Sequence, residues 1–326
     1  MITTLSIERF KSVRQVELSC RRVNLFIGEP NTGKSNILEA LGMLSWLGWS
    51  GANLKSFVRF QLTQNLFYDH LTDEPLRIEC KGEPSTALTV KFEKEHFQFF
   101  ATSVQFNQPT QVATFDYRGN GSVSRRLTEA LPVKFYRYQH LEKYESAEPG
   151  ALIPPHGTNL FSVVYGSKAL REWVVELFRP YGLDVVLKPH ERTMELQKRQ
   201  DGVVIGHPFA MSSDTLQRML FYNVAMESNK DSVLVFEEPE AHAFPYYTKH
   251  LGERIAADTS NQYFIATHNP YLLVAVLEKA KKEEVAVFAT QYRDYETKVT
   301  ALTEEQISRL LDADPFLGLK GVLEAE

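Results

Sequence analysis

Three short apolar runs, residues 23–27, 233–236 and 263–266, each stop abruptly at polar residues, and each is followed by residues of helical periodicity. Runs this short, rich in Val, Ile, Leu and Phe and broken by turn formers, read as strands buried on both faces. Around them the pattern predicts strands over 2–8 and 15–27 and a helix over 34–47, with Gly48 and Gly51 at its exit. Residues 75–118 show partial period-two alternation, as in residues 76–80 and 86–93, with Gly119 and Gly121 as turn formers, and read as an antiparallel sheet. A strand at 133–136, a Pro/Gly-rich loop at 148–157 and a helix at 170–177 ended by Pro180 and Gly182 come next. Residues 183–206 then read as a hairpin across the turn Arg199, Gln200, Asp201, Gly202. The last third alternates helices (214–228, 245–257, 270–281) with strands, including 284–290 and 296–302. Thr303 and Gln306 have the spacing of a capping box opening a terminal helix. No internal repeat or low-complexity tract is visible.

The first run leads into Gly28, Glu29, Pro30, Asn31, Thr32, Gly33, Lys34 and Ser35, a full match to G-x-x-x-x-G-K-[ST], and a helix follows. The chemistry needs that order. The glycines let successive backbone N–H groups curl around a phosphate at a helix N-terminus, where free donors and the helix dipole both favour an anion. Lys34 is placed to reach the β- and γ-phosphates and Ser35 to ligate Mg²⁺, which makes ATP with Mg²⁺ the expected ligand pair.

The second run delivers Glu237 and Glu238, then Pro239 and Glu240. Taken alone, two glutamates after a buried strand read equally well as a solvated loop. Paired with a phosphate loop they suit a Mg²⁺-associated carboxylate followed by a general base. The third run ends at His268, where an imidazole can hydrogen-bond a γ-phosphate or hold the attacking water. Loop, acidic strand and histidine strand occur in an order that permits neighbours in one parallel sheet, whose ligands gather at the strands' carboxyl ends. Ser212 and Ser213 open the 214–228 helix. The plain reading is a helix cap; the sharper one is a second phosphate-binding helix N-terminus, offered to a nucleotide held by another subunit.

Composition narrows the classes. Of 326 residues, 43% are hydrophobic and 24% charged, which excludes disordered and fibrous chains. A net charge of −5 gives no global attraction to nucleic acid, so any DNA contact needs a local basic patch; Arg21–Arg22, Arg125–Arg126 and residues 188–199 are the candidates, each also readable as solvated charge. Cys20 and Cys80 are too few for a disulfide scaffold or a four-cysteine zinc site, and the chain opens with no signal or transit pattern. A soluble, cytoplasmic protein without membrane contact is expected.

With these motifs in hand, the chain resembles the ABC-type P-loop ATPases of the SMC/RecF/OLD-like clade, particularly their compact stand-alone members often called AAA-family ATPases. Ile7 to Ser12 with Asn24 to Gly28 look like that family's opening, and Asn36 to Leu41 like its post-loop helix. Ser212, Ser213 and Asp214 stand at its signature motif, Glu237 to His242 at its Walker B and D-loop, and Thr267 to Pro270 at its switch histidine. The resemblance implies an α/β fold: an ABC-type head with a mostly parallel RecA-like core sheet, an antiparallel β subdomain and a helical signature subdomain. One ATPase domain would then span 1–326, with an N-terminal lobe (1–130), a middle insertion (131–210) and a C-terminal lobe (211–326).

It further implies a nucleotide held by Gly28 to Asn36, with Mg²⁺ at Ser35 and Glu237. Glu238 is then the catalytic base, His268 the γ-phosphate contact, and Ser212 the contact to ATP held by Lys34 of a second, head-to-tail protomer. Gln139 is the candidate for a metal- and water-contacting glutamine, and reads equally well as a surface polar residue. Three departures stand out: Asp214 where the signature has glycine, Glu237 where aspartate is usual, and Asn269 for a serine. Asp214, repulsive if it faced a phosphate, is expected to cap its helix or reach for Mg²⁺.

No sustained heptads, Arg-rich lid or guanine-reading motif is present, and about 58 residues after His268 are too few for a Toprim nuclease domain. The leading expectation is an ATP-hydrolysing switch that forms a homodimer on ATP and regulates a DNA transaction, a repair nuclease or a toxin-like effector, in repair or anti-phage defence. A non-hydrolysing ATP-gated scaffold and a plain nucleic-acid-binding module are the alternatives.

Overall fold

A computed structural model describes residues 1–49, 53–127 and 133–312; Gly51 and the expected boundary at 130/131 lie outside them. The chain divides into two compact units, one of Met1–Phe135, Asp231–Glu238 and Gly252–Glu326, the other of Tyr136–Lys230 and Pro239–Leu251.

The first unit carries the three apolar runs, and they lie side by side. Its six-stranded sheet runs Glu296–Ala301, Val285–Arg293, Val23–Gly28, Gln262–Ala266, Val233–Glu237, Val133–Tyr136. The strand Val23–Gly28 sits parallel between Val285–Arg293 and Gln262–Ala266, and Gln262–Ala266 pairs in parallel with Val233–Glu237. All six residues of Val23–Gly28 are buried, which is why the run shows no alternation. Register places Gly28 opposite Thr290 and Glu237 opposite Ala266, so the polar residues that end each run share one edge.

An antiparallel sheet of seven strands forms where period-two alternation predicted one. Its order is Val13–Ser19, Ile2–Phe10, Leu76–Gly82, Thr86–Glu93, His96–Ser103, Phe106–Phe115, Gly121–Val123. Its apolar face, with Leu5, Ile78, Val90 and Phe99, joins one core with Ile37, Leu41 and Trp46 of the helix Lys34–Gly48. Trp46 meets Phe99 edge-on at 5.8 Å and Phe115 at 5.6 Å.

The expected single strand over 15–27 is two strands in different sheets. Cys20 to Arg22 break the pairing, and Asn24 fixes the break: Arg21 N–H donates to Asn24 Oδ1 at 2.8 Å and Asn24 Nδ2 donates to Arg21 O at 2.7 Å. The Arg21–Arg22 pair is a structural clamp rather than a phosphate patch. Arg21 donates to the carbonyls of Lys282 and Val285, while nearly buried Arg22 donates to those of Ile255, Ala256 and Asp258 and pairs with Glu284 at 2.8 Å. Buried Gln262 ties the sheets together, accepting from Ile2 N–H at 2.7 Å and donating to the Ile2 and Arg21 carbonyls at 2.7 and 2.8 Å.

The second unit holds the helices Leu160–Gly166, Lys168–Phe178 and Asp214–Glu227 and a three-stranded antiparallel sheet, Asp184–Lys188, Thr193–Gln200, Val203–Pro208. The pattern had placed a single helix at 170–177. The additional helix Leu160–Gly166 follows buried Asn159, whose side chain accepts from Ile153 N–H and donates to the carbonyls of Glu148 and Ala151, ordering the Pro/Gly-rich loop before it. Ser167 caps the next helix through Leu170 N–H. Within residues 188–199, Lys188 pairs with Glu195, and Arg199 lies 3.9 Å from Asp184 with both side chains exposed.

The terminal helix Glu304–Asp312 opens on the expected reciprocal cap, Thr303 N–H to Gln306 Oε1 at 2.9 Å and Gln306 N–H to Thr303 Oγ1 at 3.2 Å. Among the described residues no helix is long and apolar enough to cross a membrane.

Replacing Gln262 by Leu strands one buried N–H and weakens two carbonyls. Unfolding in urea should show a loss on the order of 2 kcal/mol, the cost of unsatisfied buried groups, and an unchanged midpoint would remove Gln262 from the account of sheet docking.

Candidate functional site

The phosphate loop is shaped by its neighbours as much as by its own residues. Gly33 adopts φ +94 and Asn31 φ 63, both in the left-handed region, and turn the chain into the helix that starts at Lys34. No side chain caps that helix N-terminus. Its leading N–H groups therefore face the loop, the arrangement an anion needs. Thr32 braces the turn, donating to Glu29 O at 2.8 Å and sharing a 2.6 Å hydrogen bond with Thr290. The Asn36 side chain donates to Ser12 Oγ at 2.7 Å, and Ser12 Oγ meets Thr297 Oγ1 at 2.7 Å.

Lys34 is almost fully buried, and its ammonium donates to the carbonyls of Gly28 and Glu29 at 2.9 and 2.8 Å. Burial lowers its pKa to about 8, against the opposing pull of Glu238. A third, longer contact runs to Thr32 Oγ1 at 3.5 Å, and a buried cation held by neutral loop oxygens is poised to exchange them for an anion's oxygens.

A cleft of about 510 Å³ opens over the loop, lined by Pro30 to Asn36 together with Ser12, Arg59, Glu238, His268 and Tyr292. That size is typical of small-ligand sites. Glu238 caps the end of its strand at φ 43, held by its N–H to Ala266 O at 3.0 Å. His268 Nε2 lies 3.5 Å from Glu238 Oε1. Burial and the nearby Lys34 charge push the His268 pKa down, so the ring is neutral at neutral pH. Lys34, Ser35, Glu238 and His268 thus meet in one cleft, as their strand-end positions suggested.

Glu237 is placed differently. Nearly buried, it accepts from Arg59 Nη2 at 3.1 Å. Arg59 also donates through Nε to Glu39 Oε1 at 2.6 Å, and Glu39, fully buried on the loop helix, pairs with Lys11 as well. Lys11, Glu39, Arg59 and Glu237 form a chain of alternating charge that touches the cleft at Arg59. Sequence reasoning missed Arg59 and Lys11, because nothing local marks them; the one available signal was a glutamate at position 39 in an otherwise apolar helical run.

Among the described residues no group of three or more His, Cys, Asp or Glu could cage a metal.

Ser212, Asp214 and Gln139 belong to the second unit. Ser212 Oγ is shielded from solvent without a hydrogen-bond partner, and Ser213 makes no side-chain cap. Asp214 neither caps its helix nor stands free: its Oδ2 accepts from Arg218 Nε at 2.6 Å, and Arg218 stacks over Tyr138 at 4.6 Å. Thr215 Oγ1 donates to His242 O at 3.0 Å, joining the start of this helix to the segment after the acidic strand. Gln139 is exposed.

No family model matches the chain. Over 150 residues it is 26% identical to the DNA replication and repair protein RecF of Bacteroides thetaiotaomicron, a match covering 44% of this chain and 40% of that relative. Among solved structures it is similar to the Smc head bound to the C-winged helix domain of ScpA, at 15% identity and TM-score 0.52 over 94% of this chain and 99% of that one. It is equally similar (TM-score 0.52, 14% identity) to the Smc head domain with an extended coiled coil bound to the C-terminal domain of ScpA derived from Pyrococcus furiosus, over 95% and 98% of the two chains. The chain has the α/β fold of an SMC head, and the resemblance to the SMC/RecF clade of ABC-type P-loop ATPases stands.

A Cβ at position 33 would stand 2.0 Å from Thr297 Oγ1, on a backbone already at φ +94. Gly33→Ala should therefore lower the thermal midpoint, with a loss of about 1–3 kcal/mol from strain and displaced packing. A variant melting with the parent would mean the loop is not fixed by this contact.

Proposed function

We propose that residues 1–326 work as one ABC-type ATPase domain, an ATP-binding and ATP-hydrolysing switch that dimerises on ATP. The observation that carries this reading is the meeting of Lys34, Ser35, Glu238 and His268 around one cleft at the carboxyl ends of parallel strands. Lys34 would give up the Gly28 and Glu29 carbonyls for the β- and γ-phosphates, with the N–H groups of Glu29 and of residues 31–36 around them. Mg²⁺, when bound, supplies charge neutralisation between those phosphates. Ser35 and Glu237 are the residues of the first unit proposed to hold it.

Glu238, on the open side of the cleft, takes the proton of the attacking water. His268, neutral and 3.5 Å away, orients that water or donates to the γ-phosphate. Ser212 is the residue proposed to contact a nucleotide held by a second copy, which requires its shielded hydroxyl to turn outward. The proposed work is a DNA transaction or control of an effector protein, in repair or defence. RecF's description as a replication and repair protein favours DNA. The Smc heads bound to ScpA favour a protein partner. The pairing of Glu237 with Arg59 favours a second reading, an ATP-gated scaffold with little turnover. Steady-state phosphate release, with and without DNA, separates the two.

Lys34→Ala should abolish ATP binding in calorimetry. Glu238→Gln should keep binding, cut hydrolysis by a factor on the order of 10² to 10⁴, and accumulate an ATP-bound dimer in light scattering. Retained affinity in the first variant, or normal turnover in the second, would overturn the assignment.

ATP affinity should also depend on pH with a definite sign. Phosphate binds the protonated form of Lys34, whose ligand-free pKa is about 8, so the complex holds more protons than the free protein above that pH. Affinity should be flat below pH 7 as far as this group is concerned, then fall about tenfold per unit above pH 8. An affinity constant to pH 9.5 would contradict the burial of this lysine.

A further inference from the structure

We infer that the edge strand Val203–Pro208 is a pairing surface for the same strand of a second copy of this chain. The strand closes the order Asp184–Lys188, Thr193–Gln200, Val203–Pro208, so one of its hydrogen-bonding edges has no neighbour in the sheet. Every one of its residues is exposed, and Val203, Val204 and Ile205 are 58%, 51% and 37% exposed in unbroken succession. Edges left open in this way are ordinarily blunted by lysine, proline or an inward charge. Here Val203 to His207 contain no Lys, Arg, Asp, Glu or Pro, and Pro208 ends the run. The cations of the adjacent strand, Lys198 and Arg199, sit opposite Ile205 and Val204, and Lys188 lies one strand further in.

The pattern is self-complementary. In an antiparallel pair, opposed residues share a face, so a two-fold axis through a residue is allowed and one between residues is not. With the axis at Val204, Val204 meets its own copy and Val203 meets Ile205 from either side, so every apolar residue opposes another. Two steps outward, past Gly202 opposite Gly206, His207 of one copy comes beside the hairpin turn of the other, where Asp201 is exposed, an imidazole against a carboxylate. The two Arg199 side chains stand three strand spacings apart, roughly 14 Å, beyond the screening length at physiological salt. The result is one six-stranded sheet shared by two protomers through backbone pairing. A single strand pair buries less than the ~800 Å² per partner of a standard interface, so this association is weak and concentration-dependent.

The pairing needs no nucleotide, which separates it from dimerisation on ATP. The test uses the full chain carrying Lys34→Ala, without nucleotide, so its outcome does not depend on the ATPase reading. Opposed Cα atoms in an antiparallel pair lie about 4.5–5.5 Å apart, within disulfide reach. Under mild oxidation Val204→Cys should give a covalent dimer on a non-reducing gel, and Val203→Cys or Ile205→Cys alone should not, while a mixture of those two should. The parent, with Cys20 and Cys80, is the control. In a concentration series by light scattering the parent should rise toward dimer mass, and Val204→Lys should stay monomeric. Equal crosslinking at 203, 204 and 205, no crosslinking at 204, or a parent that stays monomeric would overturn the proposal and leave the strand to a partner of different sequence.

Discussion

Two positions in the phosphate loop have no room for a side chain, and the geometry of the cleft depends on that. At Gly28 a Cβ would stand 2.4 Å from Thr290 Oγ1 and 2.5 Å from its carbonyl oxygen; at Gly33 it would stand 2.0 Å from Thr297 Oγ1. The strands Val285–Arg293 and Glu296–Ala301 are therefore pressed against the loop backbone, not merely adjacent to it. Thr290 and Thr297 lie in residues that carry no recognisable motif, yet they set where the loop's N–H groups point. A loop so confined presents its donors without reorganising, which is the condition for electrostatic stabilisation of a phosphate.

The second organising feature is charge held out of water. Lys34 is buried with carbonyls as its ligands, Glu39 is buried between Lys11 and Arg59, and Glu237 is turned toward Arg59 rather than into the cleft. Glu238 is the half-exposed exception, and it is also the residue with a strained backbone at the end of its strand. Backbone strain at the acidic group facing the cleft is what a site under functional constraint shows. Arg59, half exposed, connects the two sets, since it lines the cleft and also holds Glu39 and Glu237.

Legibility followed the range of the interactions. The phosphate loop, Glu238 and His268 could be read because each is fixed by contiguous residues at a strand end, where sequence order and spatial order coincide. The terminal capping box could be read for the same reason. The break at Cys20 to Arg22 could not, since the apolar positions on either side continue one run and only the Asn24 side chain, reaching back three residues, divides it. The helix Leu160–Gly166 was hidden behind a Pro/Gly-rich segment that Asn159 organises through contacts 6 to 11 residues away. Arg59 and Lys11 meet Glu39 across 20 and 28 residues, and no periodicity reports that.

Asp214 shows how a departure from a family pattern changes meaning once its surroundings are known. Read from the motif alone, a carboxylate in place of glycine at a phosphate-facing helix start is a repulsive element. In the folded chain that carboxylate lies in the first turn, where the helix dipole favours it, and is paired with Arg218 one turn on. Arg218 is in turn stacked on Tyr138, whose hydroxyl donates to Gln217 Oε1 at 3.0 Å, and Gln217 Nε2 donates to the Ser212 carbonyl at 2.9 Å. The negative charge is thus compensated by Arg218 within its own helix, and Tyr138 links that arginine to Gln217, which holds the backbone of Ser212. A glycine there would remove the repulsion and also the anchor of Arg218, so the substitution and the shape of the serine turn belong to one arrangement.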